Sequence, residues 1–405
     1  MEHSASSAPT LSKLRRIWMA VLLGSLAAFG PLTIDMYLPS FPSIANDLGT
    51  TASSVQLSLT ACLLGLAGGQ LVIGPISDMK GRKAPMMISL GVYAAASVLC
   101  VFAPSIWVLI AARFLQGFSA SAGIVISRAV VRDLYTGKEL TKFFALLMLV
   151  NGLAPILAPL AGGIVLNWTS WQGIFVILSV IGLFMLTTVF LLLPETLAAE
   201  NKSNSGIKRT IQTFGELMKE RTFAGYALAQ GLVMAGIFAY VSGTPFVYQD
   251  IYGVSAQVFS ILFAMNGIGL IIGSQLTGRL AGIVDENKIL KTGLFVTMGA
   301  STFLLLMILL QAPLIFIVIP IFLVVSCVGV VTTTCFSLAM ETQGHRAGSA
   351  SALLGLLPFL FGATSAPLVG VAGEGTALPM GLIIFIADAL ALSCYLFLVR
   401  KPASS

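Results

Sequence analysis

Three ionisable side chains stand inside long apolar runs: Asp35 in FGPLTIDMYLPSFP, Arg113 in RFLQGFSASAG and Asp388 in IIFIADALALSCY. Such a group costs at least roughly 2.5–3.5 kcal/mol at the centre of a membrane helix, so it usually faces a protein interior or a watery path. Burial favours the neutral form of a carboxyl, whereas a nearby cation favours the charged form. A cavity that opens and closes can move Asp35 between those settings, which is the chemistry of reversible proton transfer. Arg113, with Gln116 one helical turn away, would tune Asp35 or hold polar groups of a substrate. Met36 and Tyr37 adjoin the acid as candidates for lining the cavity. The plainer reading of Asp35 and Arg113 is an ion pair fixing two helices. Asp388 stands open in the same way, between a second proton site and a hydrogen-bonded packing residue.

Other chemistries find no support. The sequence holds no Walker loop, no Gly-x-Ser-x-Gly and no His/Cys metal spacing, and its only histidines are His3 and His345. An enzyme, a bound metal and a cofactor are therefore not expected. The five cysteines, Cys62, Cys100, Cys327, Cys335 and Cys394, all fall in apolar stretches and read as packing thiols. A receptor would need a sizeable ligand or output domain, and the loops are too short to supply one.

The elements that must carry these residues are membrane helices. Of 405 residues 57% are hydrophobic and only 9% charged, with a mean hydropathy of +0.97. Twelve apolar stretches can be read, at 17–40, 55–77, 84–103, 105–128, 142–166, 171–194, 222–248, 255–283, 288–310, 313–338, 347–371 and 376–399. Most can cross a hydrocarbon core of about 30 Å at about 1.5 Å per residue. Lysines and arginines cluster at 13–16, 80–83, 128–142, 202–221, 279–291, 346 and 400–401. All of these lie on one side of a twelve-span chain with both termini inside, whereas the opposite loops contain none, as the positive-inside rule requires. The net charge of +6 is thus a topology signal and does not point to nucleic acid. The first apolar run is long and lacks a cleavage site, so it is expected to remain as a span.

The longest polar segment, from Pro194 to Phe223, divides the spans six and six. The expected organisation is a six-helix half over 1–194, a cytoplasmic linker over 195–221 and a second half over 222–405. The linker reads either as an amphipathic helix on Ile207, Ile211, Phe214, Leu217 and Met218 or as a flexible tether. Two related halves with the substrate between them near the midplane is the plan of a transporter. Within it Asp35, just before the outer end of span one, and Arg113, just after the outer turn at Pro104, fall at similar depth.

In GPISDMKGRK, Gly74 permits close helix contact, Asp78 ends a helix, Gly81 turns the chain, and Arg82 and Lys83 hold the loop in the cytoplasm. The segment resembles the signature of the major facilitator superfamily, Gly-x-x-x-Asp-x-x-Gly-Arg-Lys/Arg, although Met79 stands where that family carries an arginine. The resemblance implies a charge lock on the cytoplasmic side built on Asp78 and Arg82. Its partner would be Ser349 capping span eleven in HRAGSASALLG, or Arg132. Span five, NGLAPILAPLAGGIVLNW, is similar to the Gly/Pro motif of drug:proton antiporters through Gly152, Pro155, Pro159, Gly162 and Gly163. IDMYLPSFP and RFLQGFSASAG resemble the Bcr/CflA group, named for bicyclomycin and chloramphenicol resistance.

The resemblance implies an all-α polytopic protein of the bacterial cytoplasmic membrane, a major facilitator fold that generally works as a monomer among membrane lipids. It implies proton-coupled export of small lipophilic compounds, with Asp35 and Arg113 in the coupling roles. The alternative is a symporter or facilitator for a small metabolite on the same fold, against which span five argues. Phe238 and Tyr240 in span seven either stack on a lipophilic substrate or anchor the helix, and Asn266 in span eight is a candidate polar contact.

Overall fold

A computed structural model describes residues 13–135, 137–198, 207–341, 343, 346–371 and 375–399. Both chain ends, His3, His345, Lys202, Arg400 and Lys401 lie outside the described residues, as do the side chains of Lys13, Arg15, Arg16, Lys138, Lys142, Lys208 and Arg209. The described chain is helices joined by short turns and irregular segments, with one isolated β-bridge between Ala281 and Val284. Its first part runs through α1 (Lys13–Ala27), α2 (Phe29–Asp35), a 3-10 turn (Leu38–Ser40), α3 (Phe41–Asp47), α4 (Ala52–Lys80), α5 (Lys83–Val101), α6 (Ile106–Leu134), α7 (Gly137–Val165) and α8 (Gln172–Leu192). The second part comprises α9 (Ile207–Lys219), α10 (Arg221–Phe246), α11 (Ala256–Leu280), α12 (Glu286–Leu309), α13 (Ile315–Glu341), α14 (Ala347–Ser365) and α15 (Leu378–Leu398).

Among the described residues, eleven helices or helical runs are long and apolar enough to cross a membrane. The expected fifth span, 142–166, coincides with α7, whose stretch Gly152–Val165 is a shorter apolar helix. One expected boundary is corrected. The first helical run continues from Ile17 to Asp47, so part of the expected outer loop 41–54 is helix. Pro42 lies in the first turn of α3, where its missing N–H costs nothing, so it starts a helix and does not end one.

Helices of each part pack chiefly on one another, most closely α4 on α6. That pair is drawn together where Gly117 faces the Cys62 carbonyl; a Cβ there would sit 2.2 Å from the oxygen. Between the two parts, α4 meets α14 and α7 meets α11. At the outer end three glutamines and a pair of rings join the parts. Gln56 donates to the Ser242 carbonyl at 3.2 Å, Gln249 to the Pro39 carbonyl at 3.2 Å and Gln257 to the Asn167 side-chain oxygen at 2.6 Å. Phe41 packs on Phe246 with ring centroids 5.9 Å apart.

At the cytoplasmic end the parts separate around a cavity of about 450 Å³, walled by α4 and α6 on one side and by α14 and α9 on the other. The helix α9 resolves the two readings of the linker over its range: Phe214 and Leu217 are buried beneath the second part, while Ile211 is exposed. The molecule is therefore shut outside and open inside.

In a chain freed of its own cysteines, a single cysteine at Thr169 or Gln311 should react with a membrane-impermeant maleimide on intact cells. One at Lys219 or Lys288 should react only after permeabilisation. Labelling of the second pair from outside would overturn the topology.

Candidate functional site

The first span breaks on both sides of α2. Pro31 removes the donor that would reach the Ala27 carbonyl, and Pro39 removes the one for the Asp35 carbonyl. Beyond Asp35 the chain leaves the α-helical path for a 3-10 turn, in which Ser40 donates to the Tyr37 carbonyl. A helix end in an apolar interior strands carbonyls that water cannot reach. Arg113 of α6 supplies a donor: its Nη2 lies 2.8 Å from the Thr33 carbonyl. The cation also sits at the negative end of the short helix.

Arg113 is fully buried, and every other contact it makes lies in the same part of the molecule. Its Nη1 donates to Gln116 Oε1, Gln116 Nε2 donates to Ser97 Oγ at 2.8 Å, and Ser97 donates to the Tyr93 carbonyl at 2.8 Å. The Tyr93 hydroxyl meets Thr33 Oγ1 at 2.9 Å. The guanidinium carbon lies 4.0 Å from the centroid of Tyr37 and 5.7 Å from that of Phe175, within cation–π reach of both rings. Thus α2, α5 and α6 share one polar network. Thr33, Tyr93 and Ser97 were not singled out from sequence; their only signal is that each is a polar group in an apolar run.

Asp35 is buried, yet it forms no ion pair with Arg113 among the described residues. Its electrostatic neighbours are Cys62 on α4 and Tyr240 on α10, the latter across the boundary between the parts. Of the readings open for Asp35 and Arg113, the ion pair is absent among the described residues: the arginine serves the backbone and the acid neighbours Tyr240 of the other part. Met36 and Tyr37 are likewise buried, Tyr37 under Arg113 with its hydroxyl 3.3 Å from Ser58 Oγ, so neither lines the open cavity in this state.

On the other side, Tyr240 stacks on Phe263 at 5.2 Å and accepts from Asn266 Nδ2 at 2.9 Å, which leaves the buried Asn266 Oδ1 without a partner. Phe238 packs on Phe359 and against Gly362 of α14. Asp388 is buried on α15 among helices of the second part, beside Gly236 and facing Ser301 and Cys327. Both its oxygens lack a hydrogen-bond partner among the described residues.

The α7 motif packs on both parts. A Cβ at Gly162 would lie 1.9 Å from the Met36 carbonyl, so only glycine lets α7 approach the break in the first span. Gly163 faces Ser260 and Gly152 faces Ile271, both on α11, while Pro155 and Pro159 sit inside the helix.

The cytoplasmic cluster is self-contained. Arg82 pairs with Asp78 and with Asp133, the latter through Nε at 2.8 Å, and also donates to Ser77 Oγ at 3.0 Å. Gly74 packs closely on Val125. Gly81 has φ of +101°, and a Cβ there would run into Glu195. Glu195 accepts the backbone N–H groups of Arg82 at 2.8 Å, Lys83 at 3.2 Å, and Thr196 and Leu197 at 3.0 Å each. Partial burial pushes its pKa up, but those four donors outweigh it and hold the carboxyl below its usual range.

Asp133 and Glu195 were missed in the sequence, where their signal was an acid at the cytoplasmic end of an apolar run. The expected lock partners only share the cavity wall: Arg132 and Ser349 line it with Asp78, with no hydrogen bond between them. Ser349 does not cap α14. The helix begins at Ala347 without a side-chain cap, and its lead-in is held by Gln343 and Arg346, which donate to Glu220 at 2.6 Å and 3.1 Å.

Comparison with known proteins gives concordant findings. The family model described as Major Facilitator Superfamily matches residues 17–367. An uncharacterized MFS-type transporter of Bacillus subtilis is 52% identical, covering 95% of this chain and 96% of that protein. A bicyclomycin resistance protein homolog of Haemophilus influenzae is 32% identical over 95% of this chain and 96% of its own length. Among solved structures, an inward-facing, unoccupied bacterial homolog of the human lysosomal transporter Spinster matches with a TM-score of 0.76 at 15% identity, covering 97% of this chain and all of that one.

Arg113→Ala should lower the melting temperature in detergent, since the orphaned Thr33 carbonyl alone costs about 1–3 kcal/mol. Arg113→Lys should recover only part, because an ammonium lacks the planar fork that serves both Thr33 and Gln116. An unchanged melting temperature in both would refute the capping role. The Glu195 carboxyl is depressed on folding, so its stabilisation is present at neutral pH and fades as the pH falls through and below about 4. Glu195→Gln should therefore unfold earlier than wild type at pH 7, with the gap narrowing as the pH falls below the usual carboxylate range; a gap independent of pH would refute this.

Proposed function

The chain belongs to the major facilitator superfamily, within its Bcr/CflA-like drug-efflux branch, and we propose that it is a proton-coupled antiporter exporting small lipophilic compounds by alternating access. It is a transporter and not an enzyme, a multi-pass protein of the bacterial cytoplasmic membrane.

The observation that carries the antiport reading is Asp35: a buried carboxyl at a helix break, on the boundary between the parts, with no cation to hold its charge. In the outward-facing state Asp35 takes a proton from outside. After the halves rock it gives the proton up to the cytoplasm, and arriving drug favours that release. Each charge crossing about 100 mV supplies about 2.3 kcal/mol to the cycle. In this reading residues 1–194 and 222–405 move as the two halves about the α4–α14 and α7–α11 contacts. Tyr240, Asn266 and Phe238 present the second half's face to substrate. Met36, Tyr37, Gln116 and Arg113 keep Asp35 in place from behind, and the Asp78–Arg82 cluster, with Gly74, Gly81, Arg132 and Ser349, forms the cytoplasmic gate. Asp388 is the second acid to test.

The test is transport of a panel of chloramphenicol-type drugs in inside-out vesicles under an imposed pH gradient, with Asp35→Asn at matched expression. Drug addition should dissipate the gradient in wild type, and the variant should lose this at least tenfold. Full gradient-driven transport by the folded variant would remove Asp35 from the coupling role.

A further inference from the structure

The cytoplasmic cavity has walls of two kinds. Leu71, Pro75, Val125, Phe214 and Leu356 give it an apolar lining. The polar groups facing them are two cations, Arg128 and Arg132, one carboxylate, Asp78, and the neutral side chains of Gln70, Thr210, Ser349 and Ser351. Arg128 and Arg132 stand one turn apart on α6, on the same face, an arrangement that costs an isolated helix a few tenths of a kcal/mol. Neither has a hydrogen bond or ion pair among the described residues, and the one carboxylate on the wall, Asp78, gives one of its two oxygens to Arg82.

Arg128 does not simply reach for solvent. Its Nη1 lies 4.0 Å, and Gln70 Oε1 3.6 Å, from where a side chain at Gly355 of α14 would begin, so both span the gap between the parts. Gln70 Nε2 is buried there without an acceptor. The uncapped N-terminus of α14, with Ser349 and Ser351 on the wall, turns its positive end to the same space. Two cations and an unpartnered amide N–H group thus face this space against one carboxylate, Asp78.

We propose that this cavity is a binding site for amphipathic organic anions, an aromatic or aliphatic body against the apolar wall with a carboxylate, sulfonate or phosphate held by Arg128, Arg132 and Gln70. Binding itself is independent of the transport reading, and only the fate of the bound anion rests on it: an exported anion and an entering proton both move charge in the direction that an inside-negative potential favours. The anionic head can belong to a soluble molecule or to an acidic phospholipid of the inner leaflet.

The test is equilibrium binding to the purified full-length protein in nanodiscs, which needs no proton coupling. The probes are dansylglycine, its neutral amide and a dansyl alkylamine, which share one fluorophore and differ in charge. Dansylglycine should bind at least tenfold more tightly than the other two. Arg128→Gln should erase that preference, since a charge-assisted hydrogen bond is worth roughly 10- to 100-fold, while leaving the neutral amide unchanged.

Arg132→Gln, at the exposed rim, should reduce the preference less and guards against misfolding of the deeper variant; melting temperatures check both. Equal binding of the three probes, or equal loss of all three in Arg128→Gln and Arg132→Gln, would overturn the proposal. Nanodiscs of phosphatidylcholine, with and without phosphatidylglycerol, separate the sources. Competition by phosphatidylglycerol that vanishes in Arg128→Gln assigns the site to a lipid headgroup, and unchanged dansylglycine affinity assigns it to a soluble anion. Asp35→Asn should bind dansylglycine as wild type does, so failure of the antiport reading and failure of this one are separately visible.

Discussion

Within a membrane a backbone carbonyl without a donor is a cost that solvent cannot relieve, and the first span carries such carbonyls where it breaks. The bond from Arg113 to Thr33 answers that cost. Because it does, the acid two residues further on need not be paired for the fold to hold. Had Arg113 been spent on Asp35, the helix end would have gone unsatisfied and the acid would have been locked in its charged form. The network through Gln116, Ser97 and Tyr93 holds the guanidinium beside Thr33 and Gln116. Position and reactivity are thus assigned to different residues, and the break itself is kept in register by the close approach of Gly162 to the Met36 carbonyl.

The same separation recurs at larger scale. The cytoplasmic ion cluster of Arg82, Asp78, Asp133 and Glu195 binds loop ends within the first part and, among the described residues, makes no bridge to α14. The second half has its own tie, Glu220 with Gln343 and Arg346, which joins the linker helix α9 and α10 to the start of α14. Each half is stiffened on its own account. The junctions between halves are left to close packing at the outer end and to a cavity at the inner one.

Most of the fold was legible in the sequence because span length, apolar content and the sidedness of lysine and arginine are one-dimensional quantities. The prolines of the first span, Pro31, Pro39 and Pro42, stand in the sequence, yet their breaks were not read from it. Whether a proline ends a helix, as at Pro39, or begins one, as at Pro42, depends on the path of the chain beyond it. The placement of Asp35 and Arg113 at similar depth was readable from residue counts, but the partner of each was not, since a side chain 80 residues away can equally reach a carboxylate or a carbonyl. Glu195 was hidden for a further reason. It acts through backbone N–H groups of Arg82 and Lys83, and backbone donors carry no residue-type signature.

The outer closure has a consequence for life in a changing medium. Gln56, Gln249 and Gln257 bond to uncharged oxygens, and Phe41 meets Phe246 through rings, so none of these outer fastenings carries a charge. Such a seal neither titrates nor feels ionic strength, whereas the ionic cluster on the inner side is exposed to both. A cell moved from brackish to fresh water, or from alkaline to acid soil, would keep the same outer door. The buffered cytoplasm would surround the ion pairs that salt can loosen, Arg82 with Asp78 and Asp133 and Arg346 with Glu220.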